Sequence, residues 1–383
     1  MASFVELIPN KKYKLFVELE SNPDGSRNRR TKVIQASGKR EARRLLSKFE
    51  QEIMENSHLS IDNPYMPAFI DRWRTNYAQT ELDMATLESY DISLKQIKRY
   101  FKKKKIKAIK PLHIIEFYTE ERKAGRGSLE TKHKVLQSLF KHAIVWKYID
   151  KEENPMEDVS KPKTQKKQHK DFYNKHELKE LFKLLEDQPE HHQLMAKCAL
   201  YGGLRRGEVL GIADDSIDFE SNTITVKRSL QCTKSKGIVL KETKGKDARI
   251  IILPDKFMEE LQAYHKKKLQ LKKDMGTLWT GFEDQNKKKV FLLFSDVHGK
   301  PFRPDSVTQL WGRFMNRNQD KIKRIRFHDL RHSSASLILS EGVNMKIVQK
   351  RLGHKDIRTT LNMYSHITTE DEQKASDVFN VLF

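Results

Sequence analysis

Alternation of apolar and polar positions marks the start of the chain. In KKYKLFVELE, residues Tyr13, Leu15, Val17 and Leu19 fall two apart, which puts them on one face of a strand. NPDGS supplies a turn, and RRTKVIQA reads as another strand. From Lys39 the period lengthens to that of a helix. Ala42, Leu45, Leu46, Phe49 and Ile53 form one stripe, while Arg40, Arg43, Arg44 and Lys48 face away. Residues 1–57 therefore read as a three-stranded sheet plus a helix.

Residues 62–160 carry the helical period throughout. One helix is expected from Ser128, as N-cap, to about Tyr148. It should bury Val135, Leu139 and Ala143 and turn Lys132, Lys134, Lys141 and Lys147 to the other side. Residues 161–170, KPKTQKKQHK, hold five lysines, one proline and no acid, the composition of an extended basic linker.

Residues 171–383 form the largest block. Asn174 and Glu177 have the spacing of a capping box ahead of the stripe Leu178, Leu181, Phe182 and Leu185. Strands are expected at NTITVKRS, IVLKET and ARIIILP. Helices are expected at DKFMEELQAYHKKK, with Phe257, Leu261 and Tyr264 in line, and at PDSVTQLWGRFM, with Val307, Leu310, Trp311 and Phe314. The fold class that follows is mixed α+β and multidomain. A small sheet-plus-helix unit leads, an all-α unit follows, and a mainly α domain with a small antiparallel sheet ends the chain.

Charge narrows the partner. Lys and Arg number 74 against 52 Asp and Glu, a formal net charge of +22, so a polyanion is expected, nucleic acid before membrane. The longest apolar runs, IIIL and FLLF, are far short of the roughly 20 residues a spanning helix needs. MASFVELIPNKKYK lacks the apolar core of a signal peptide, which points to the cytoplasm. Cys198 and Cys232 are the two cysteines, giving neither a disulfide framework nor a zinc-ligand pair. Phosphate-facing candidates are Lys12, Lys14, Arg29 and Arg30 around the sheet, Lys102 and Lys103 in KRYFKKKKIKAIK, Lys132, Lys134 and Lys141 on the helix, and Lys163, Lys166 and Lys167 in the linker. Such runs are also ordinary solvated faces.

Four stretches set reactive side chains beside backbone punctuation. LYGGLRRGEVLGI breaks a helix at Gly202 and Gly203 and then presents Arg205 and Arg206. KETKGKDARIIIL puts Lys244 beside Gly245, as at the tip of a hairpin. RFHDLRHSSASLIL sets His328 and Arg331 three apart on one helical turn, with Leu330, Ala335, Leu337 and Ile338 as packing surface and His332 one position round, in a structural role. RLGHKDIRTTLNMYSHI ends a helix at Gly353, exposes His354 and brings in Tyr364. Each has a plain alternative. Arg205 could cap a helix, His328 and Arg331 could bond local carbonyls, Lys244 is one lysine of many, and Tyr364 is in register with Ile357 and Leu361 as a core residue would be.

In this order and with this punctuation the four stretches resemble the tyrosine recombinases, the integrases of phages and mobile elements. GLRRGE matches the family's first arginine box, HDLRH its histidine-x-x-arginine box and LGH its third, while Lys244 matches the hairpin lysine. Tyr364, in TTLNMYSHI, matches the nucleophile. The resemblance implies cleavage and rejoining of DNA strands through a 3′-phosphotyrosine, integrating and excising a mobile element in a bacterial host. The implied catalytic set is Arg205, Lys244, His328, Arg331, His354 and Tyr364, with Glu208 bracing it and no metal or cofactor. It further implies arm-type and core-type DNA-binding domains at 1–57 and 62–160 and a catalytic domain at 171–383. The implied assembly is a homotetramer on double-stranded attachment sites, and accessory directionality and DNA-bending proteins are left open. The apolar tail Val378, Phe379, Val381, Leu382 and Phe383 should dock, within its own chain or on a neighbour. The alternatives are a relaxer of the type IB topoisomerase kind and a non-catalytic DNA-binding regulator.

Overall fold

Three antiparallel strands, β1 (Ala2–Ile8), β2 (Lys12–Glu18) and β3 (Arg29–Gln35), form the first sheet, with β2 at its centre. The computed structural model describes residues 2–9, 11–18, 29–59, 63–163, 172–242, 248–354, 356–357 and 361. The period-2 face of β2 is buried: Tyr13 and Leu15 are wholly covered and Val17 nearly so. Phe4 packs edge-on against Tyr13, whose hydroxyl donates to Glu6 at 2.9 Å. Helix α1 (Lys39–Leu59) begins where Ser37 N–H donates to Glu41 at 2.8 Å, and it sets Ala42 and Leu45 against that face.

The helical segment comprises α2 (Met66–Trp73), the π-turn Arg74–Ala78 that leads into the short α3 (Gln79–Glu81), α4 (Met84–Tyr100), α5 (Pro111–Lys123) and α6 (Leu129–Val145). Its core is separate from that of the sheet and includes Phe69, Trp73, Ile97, Phe101, Phe117, Leu136 and Phe140. Ser128 caps α6, accepting from the N–H of Thr131 at 3.3 Å, and Val135, Leu139 and Ala143 face the core. The helix stops short of Tyr148 because Lys147 takes a left-handed φ of 58°. Lys132 departs from the sequence reading: it is fully buried, 3.1 Å from Glu121 Oε2, and its amine also bonds the carbonyl of Arg126. Counted along the helix it stands three and seven residues before Val135 and Leu139, inside the stripe. Glu121, itself buried, holds it there together with Arg99 and Arg126 at 3.0 and 3.2 Å.

Chain contacts divide the protein into two compact units, Met1–Gln165 and Lys166–Phe383. In the second, the capping box forms as expected: Glu177 N–H donates to Asn174 Oδ1 at 2.9 Å, and Asn174 N–H to Glu177 Oε2 at 2.8 Å. It starts α7 (Lys175–Leu185), followed by α8 (Glu190–Tyr201) and the short α9 (Arg206–Leu210). The strands are β4 (Ile217–Asp218), β5 (Thr223–Val226), β6 (Arg228–Thr233), β7 (Gly237–Glu242) and β8 (Arg249–Ile252). Helix α10 (Asp255–Met275), the two-residue strands β9 (Phe282–Glu283) and β10 (Lys289–Val290), and helices α11 (Pro304–Arg317), α12 (Asp329–Ser340) and α13 (Met345–Leu352) complete the unit. Among the described residues no helix is long and apolar enough to cross a membrane.

Sheet topology corrects one expectation. NTITVKRS is two strands, since β5 joins β4 and β8 in one sheet while β6 pairs with β7 in another. The hairpin is thus β6–β7, turning just ahead of Gly237 at φ +66°, and among the described residues β7 and β8 do not pair. Lys244 lies outside the described residues, between those two strands.

Helix α12 packs against α8 and α13. It buries Leu330 and Ala335, as the pattern suggests, but also Asp329, Arg331, Ser333 and Ser334. Small serines allow close approach, and their hydroxyls find partners: Ser333 Oγ donates to the carbonyl of Asp329 and accepts from the N–H of Tyr173 at 2.9 Å.

Candidate active site

The second unit gathers three arginines around one carboxylate. At the end of α8, Gly203 takes φ +59°, and a Cβ there would stand 2.7 Å from Leu352 Cδ2. This turn sets Arg205 at the N-cap of α9. Glu208, one turn on, has a side chain 2% exposed. Its Oε2 accepts from the backbone N–H of Arg205 at 2.9 Å and its Oε1 from Arg205 Nη1 at 2.8 Å. Arg249, at the start of β8, donates to both oxygens of Glu208, at 3.1 and 2.6 Å. Arg331 Nη1 lies 3.9 Å from the same carboxylate. Burial opposes the ionisation of Glu208, yet hydrogen bonds and charge from Arg249 and Arg205 outweigh it and hold its pKa below the usual carboxylate value.

Arg331 is carried into the interior by α12. Its Nη1 donates to the carbonyl of Gly203 at 2.7 Å and its Nη2 to that of Leu352. The start of α12 is clasped by Asp329, which accepts from the Arg326 N–H at 2.8 Å and from its guanidinium. His328 stands at the N-cap position of the helix, its ring 5.1 Å from that of His332. Partial burial, then the charges of Arg331, Arg205 and Arg326, lower the pKa of His328 against the opposing pull of Asp329.

Helix α13 ends at Gly353, whose φ of +64° makes a left-handed cap. Arg205 Nη2 reaches its carbonyl at 3.4 Å. The turn delivers His354, whose N–H bonds the carbonyl of Gln349 at 3.1 Å while Gln349 Nε2 donates to the carbonyl of His354 at 2.9 Å. Burial, followed by the charges of Arg331, Arg205, His332 and Arg249, pushes the His354 pKa down to about 4. Three guanidiniums on one buried carboxylate, with two imidazoles beside them, suit an anion with more than one free oxygen.

Arg205, Glu208, His328, Arg331 and His354 thus converge, while Lys244 and Tyr364 lie outside the described residues. Arg249 was missed in the sequence. Its signal was a lone charge opening an otherwise apolar strand, RIII, where the residue has no outward reason to be charged. Among the described residues no group of three or more His, Cys, Asp or Glu side chains converges as metal ligands would.

The basic candidates elsewhere separate by face. Lys12, Lys14 and Phe16 alternate with the buried positions of β2, and Arg29 stacks on Phe16 at 3.9 Å. Arg30 pairs with Val17 across the strands and so belongs to the opposite face. Lys102, Lys103, Lys134, Lys141 and Lys163 are exposed, Lys134 at 3.4 Å from Glu130, whereas Lys166 and Lys167 lie outside the described residues.

The phage integrase family matches residues 171–371, and the N-terminal SAM-like domain of phage integrases matches 66–121. The ICEBs1 integrase of Bacillus subtilis is 23% identical over 384 residues, covering 97% of this chain and 98% of its own. Among solved structures, the Tn1549 transposon integrase in complex with a circular intermediate DNA superposes with a TM-score of 0.69 at 19% identity, over 83% of this chain and all of that one. A lambda integrase tetramer bound to a Holliday junction gives 0.55 at 18% identity, over 91% of this chain and 90% of that one.

Proposed function

This chain belongs to the phage integrase family, the tyrosine recombinases, and from that premise we propose how its residues cut and rejoin DNA. It is a tyrosine-type site-specific recombinase. Cleavage of a phosphodiester passes through a five-coordinate phosphorus whose non-bridging oxygens gain charge, so donors must be aimed there. Arg205 and Arg331 clamp those oxygens, and His354 donates a further hydrogen bond. Tyr364 attacks phosphorus, forming the Tyr–O–P bond as the P–O bond to the 5′ oxygen breaks.

A phenol with an ordinary pKa of about 10 needs help at neutral pH. His328, held neutral in the free protein, takes the phenolic proton, and Lys244 gives a proton to the departing 5′ oxygen. No water enters, and the bond energy stays in the phosphotyrosine for rejoining. The observation that carries this reading is that Arg205 and Arg331, from two separate stretches, meet at Glu208, with His328 and His354 close enough to feel the charge of both.

The partner is double-stranded DNA, bound at core-type sites by the helical segment and at arm-type sites by the N-terminal sheet, whose Lys12, Lys14 and Arg29 share one face. Active assembly is a homotetramer, as the lambda integrase forms on its junction. The test is a nicked suicide duplex incubated with wild-type and Tyr364→Phe protein. A covalent adduct made by the first and not the second is expected, and an adduct that persists without the phenol would reject the assignment.

A further inference from the structure

Arg249 connects three parts of the cluster. Its Nη1 and Nη2 donate to the two oxygens of Glu208 at 3.1 and 2.6 Å. Its Nε donates to the carbonyl of Arg351, in the last turn of α13, at 2.8 Å. Its guanidinium also lies beside the cap of that helix, where a Cβ on Gly353 would stand 3.0 Å from Nη1. The side chain is 10% exposed, whereas that of Arg205 is 42% exposed. Arg249 is nearly enclosed and Arg205 is open to solvent.

Glu208 has two tasks that conflict. It must hold Arg205 in place through its backbone and one guanidinium nitrogen, yet it must not quench the charge that Arg205 offers a phosphate. A carboxylate engaged fork-to-fork by one guanidinium has less charge and fewer lone pairs left for another. With Arg249 in place, the carboxylate and three guanidiniums carry a net charge of two positive. Remove Arg249, and the buried carboxylate turns on Arg205 and competes directly with the phosphate.

We infer that Arg249 is a positioning residue for strand cleavage: it touches no phosphate, but it occupies Glu208 so that Arg205 stays available, and it ties the Arg205 corner to the turn that presents His354. The inference rests on the recombinase chemistry proposed above. It extends that chemistry to a residue of the strand that follows the Lys244 segment.

The test uses the full chain and a nicked duplex selected by covalent capture with wild-type protein from a randomised pool. Failure of wild type to capture any duplex would overturn the recombinase chemistry, and this inference with it. Given an adduct, Arg249→Met should slow its single-turnover formation roughly 10- to 100-fold while duplex affinity changes less than about 3-fold. Arg249→Lys, which keeps the charge and loses the fork, should fall between.

The decisive variant adds Glu208→Gln to Arg249→Met. With the competing charge gone, its rate should recover to within about 3-fold of Glu208→Gln alone, a coupling that a fold-only role does not produce. Thermal unfolding of each variant separates slow cleavage from loss of folded protein. A fall in affinity that accounts for the whole rate loss, or a double variant whose loss equals the product of the two single losses, would overturn the inference.

Discussion

Arg331 donates to the main-chain carbonyl of Gly203 at 2.7 Å, across 128 residues of sequence, with a side chain 2% exposed. The guanidinium that should grip a phosphate is therefore also a strut of the fold. Arg331→Ala should abolish cleavage and remove about 3–5 kcal/mol of stability, because the buried carbonyls of Gly203 and Leu352 both lose their donor. The second unit's unfolding midpoint should drop by on the order of 10 °C. Calorimetry with and without DNA checks this; an unchanged midpoint would mean that the buried contacts contribute nothing.

Gly203 and Gly237 both have positive φ, but their surroundings differ. At Gly203 an added Cβ meets Leu352 Cδ2 at 2.7 Å, whereas at Gly237 nothing lies within 4 Å. Gly237→Ala should cost about 1 kcal/mol from backbone conformation alone, and Gly203→Ala about 2–4 kcal/mol, since it adds overpacking. Denaturant melts of the two variants should rank them in that order.

The lowered pKa of His354 makes stability and DNA binding depend on pH in opposite senses. Between the ordinary histidine value near 6.5 and the folded value of about 4, the unfolded chain holds more protons, so stability falls as pH falls through that window. A phosphate beside the ring favours its protonated form, so duplex binding should take up protons there and tighten as pH falls. Titration calorimetry in buffers of different ionisation enthalpy should show uptake near pH 5 that His354→Asn reduces. Equal uptake in both proteins would assign it elsewhere.

Lys132 and Lys134 offer a contrast two residues apart. The first is buried against Glu121 and the second is exposed. Lys132→Ala should cost about 3 kcal/mol in stability and leave the salt dependence of DNA affinity unchanged. If Lys134 meets a phosphate, Lys134→Ala should keep stability and reduce the slope of log K against log salt by about 1. A salt slope altered by Lys132→Ala with stability intact would contradict the buried pair.

Periodicity made the central strand β2, the stripes of α6 and α7 and the capping box at Asn174 readable, because each is set by neighbours within a turn or two. The pairing of strands was less readable. β5 and β6 are consecutive, so nothing local records that they join different sheets. The four reactive stretches could be found because each combines a charge with a glycine break or a helix start. The role of Arg249 could not, since it depends on a carboxylate 41 residues away. Lys132 was misjudged by residue type, although its register placed it in the core stripe.

The dry setting of Arg331 separates gripping a duplex from acting on it. Lysines on open faces exchange their hold with dissolved ions, and at 1 M salt, where screening reaches only about 3 Å, that hold should be largely gone. A guanidinium sealed between two carbonyls loses far less of its field to the bulk. Once a duplex is seated, or covalently attached, strand exchange should continue at ionic strengths that prevent fresh capture.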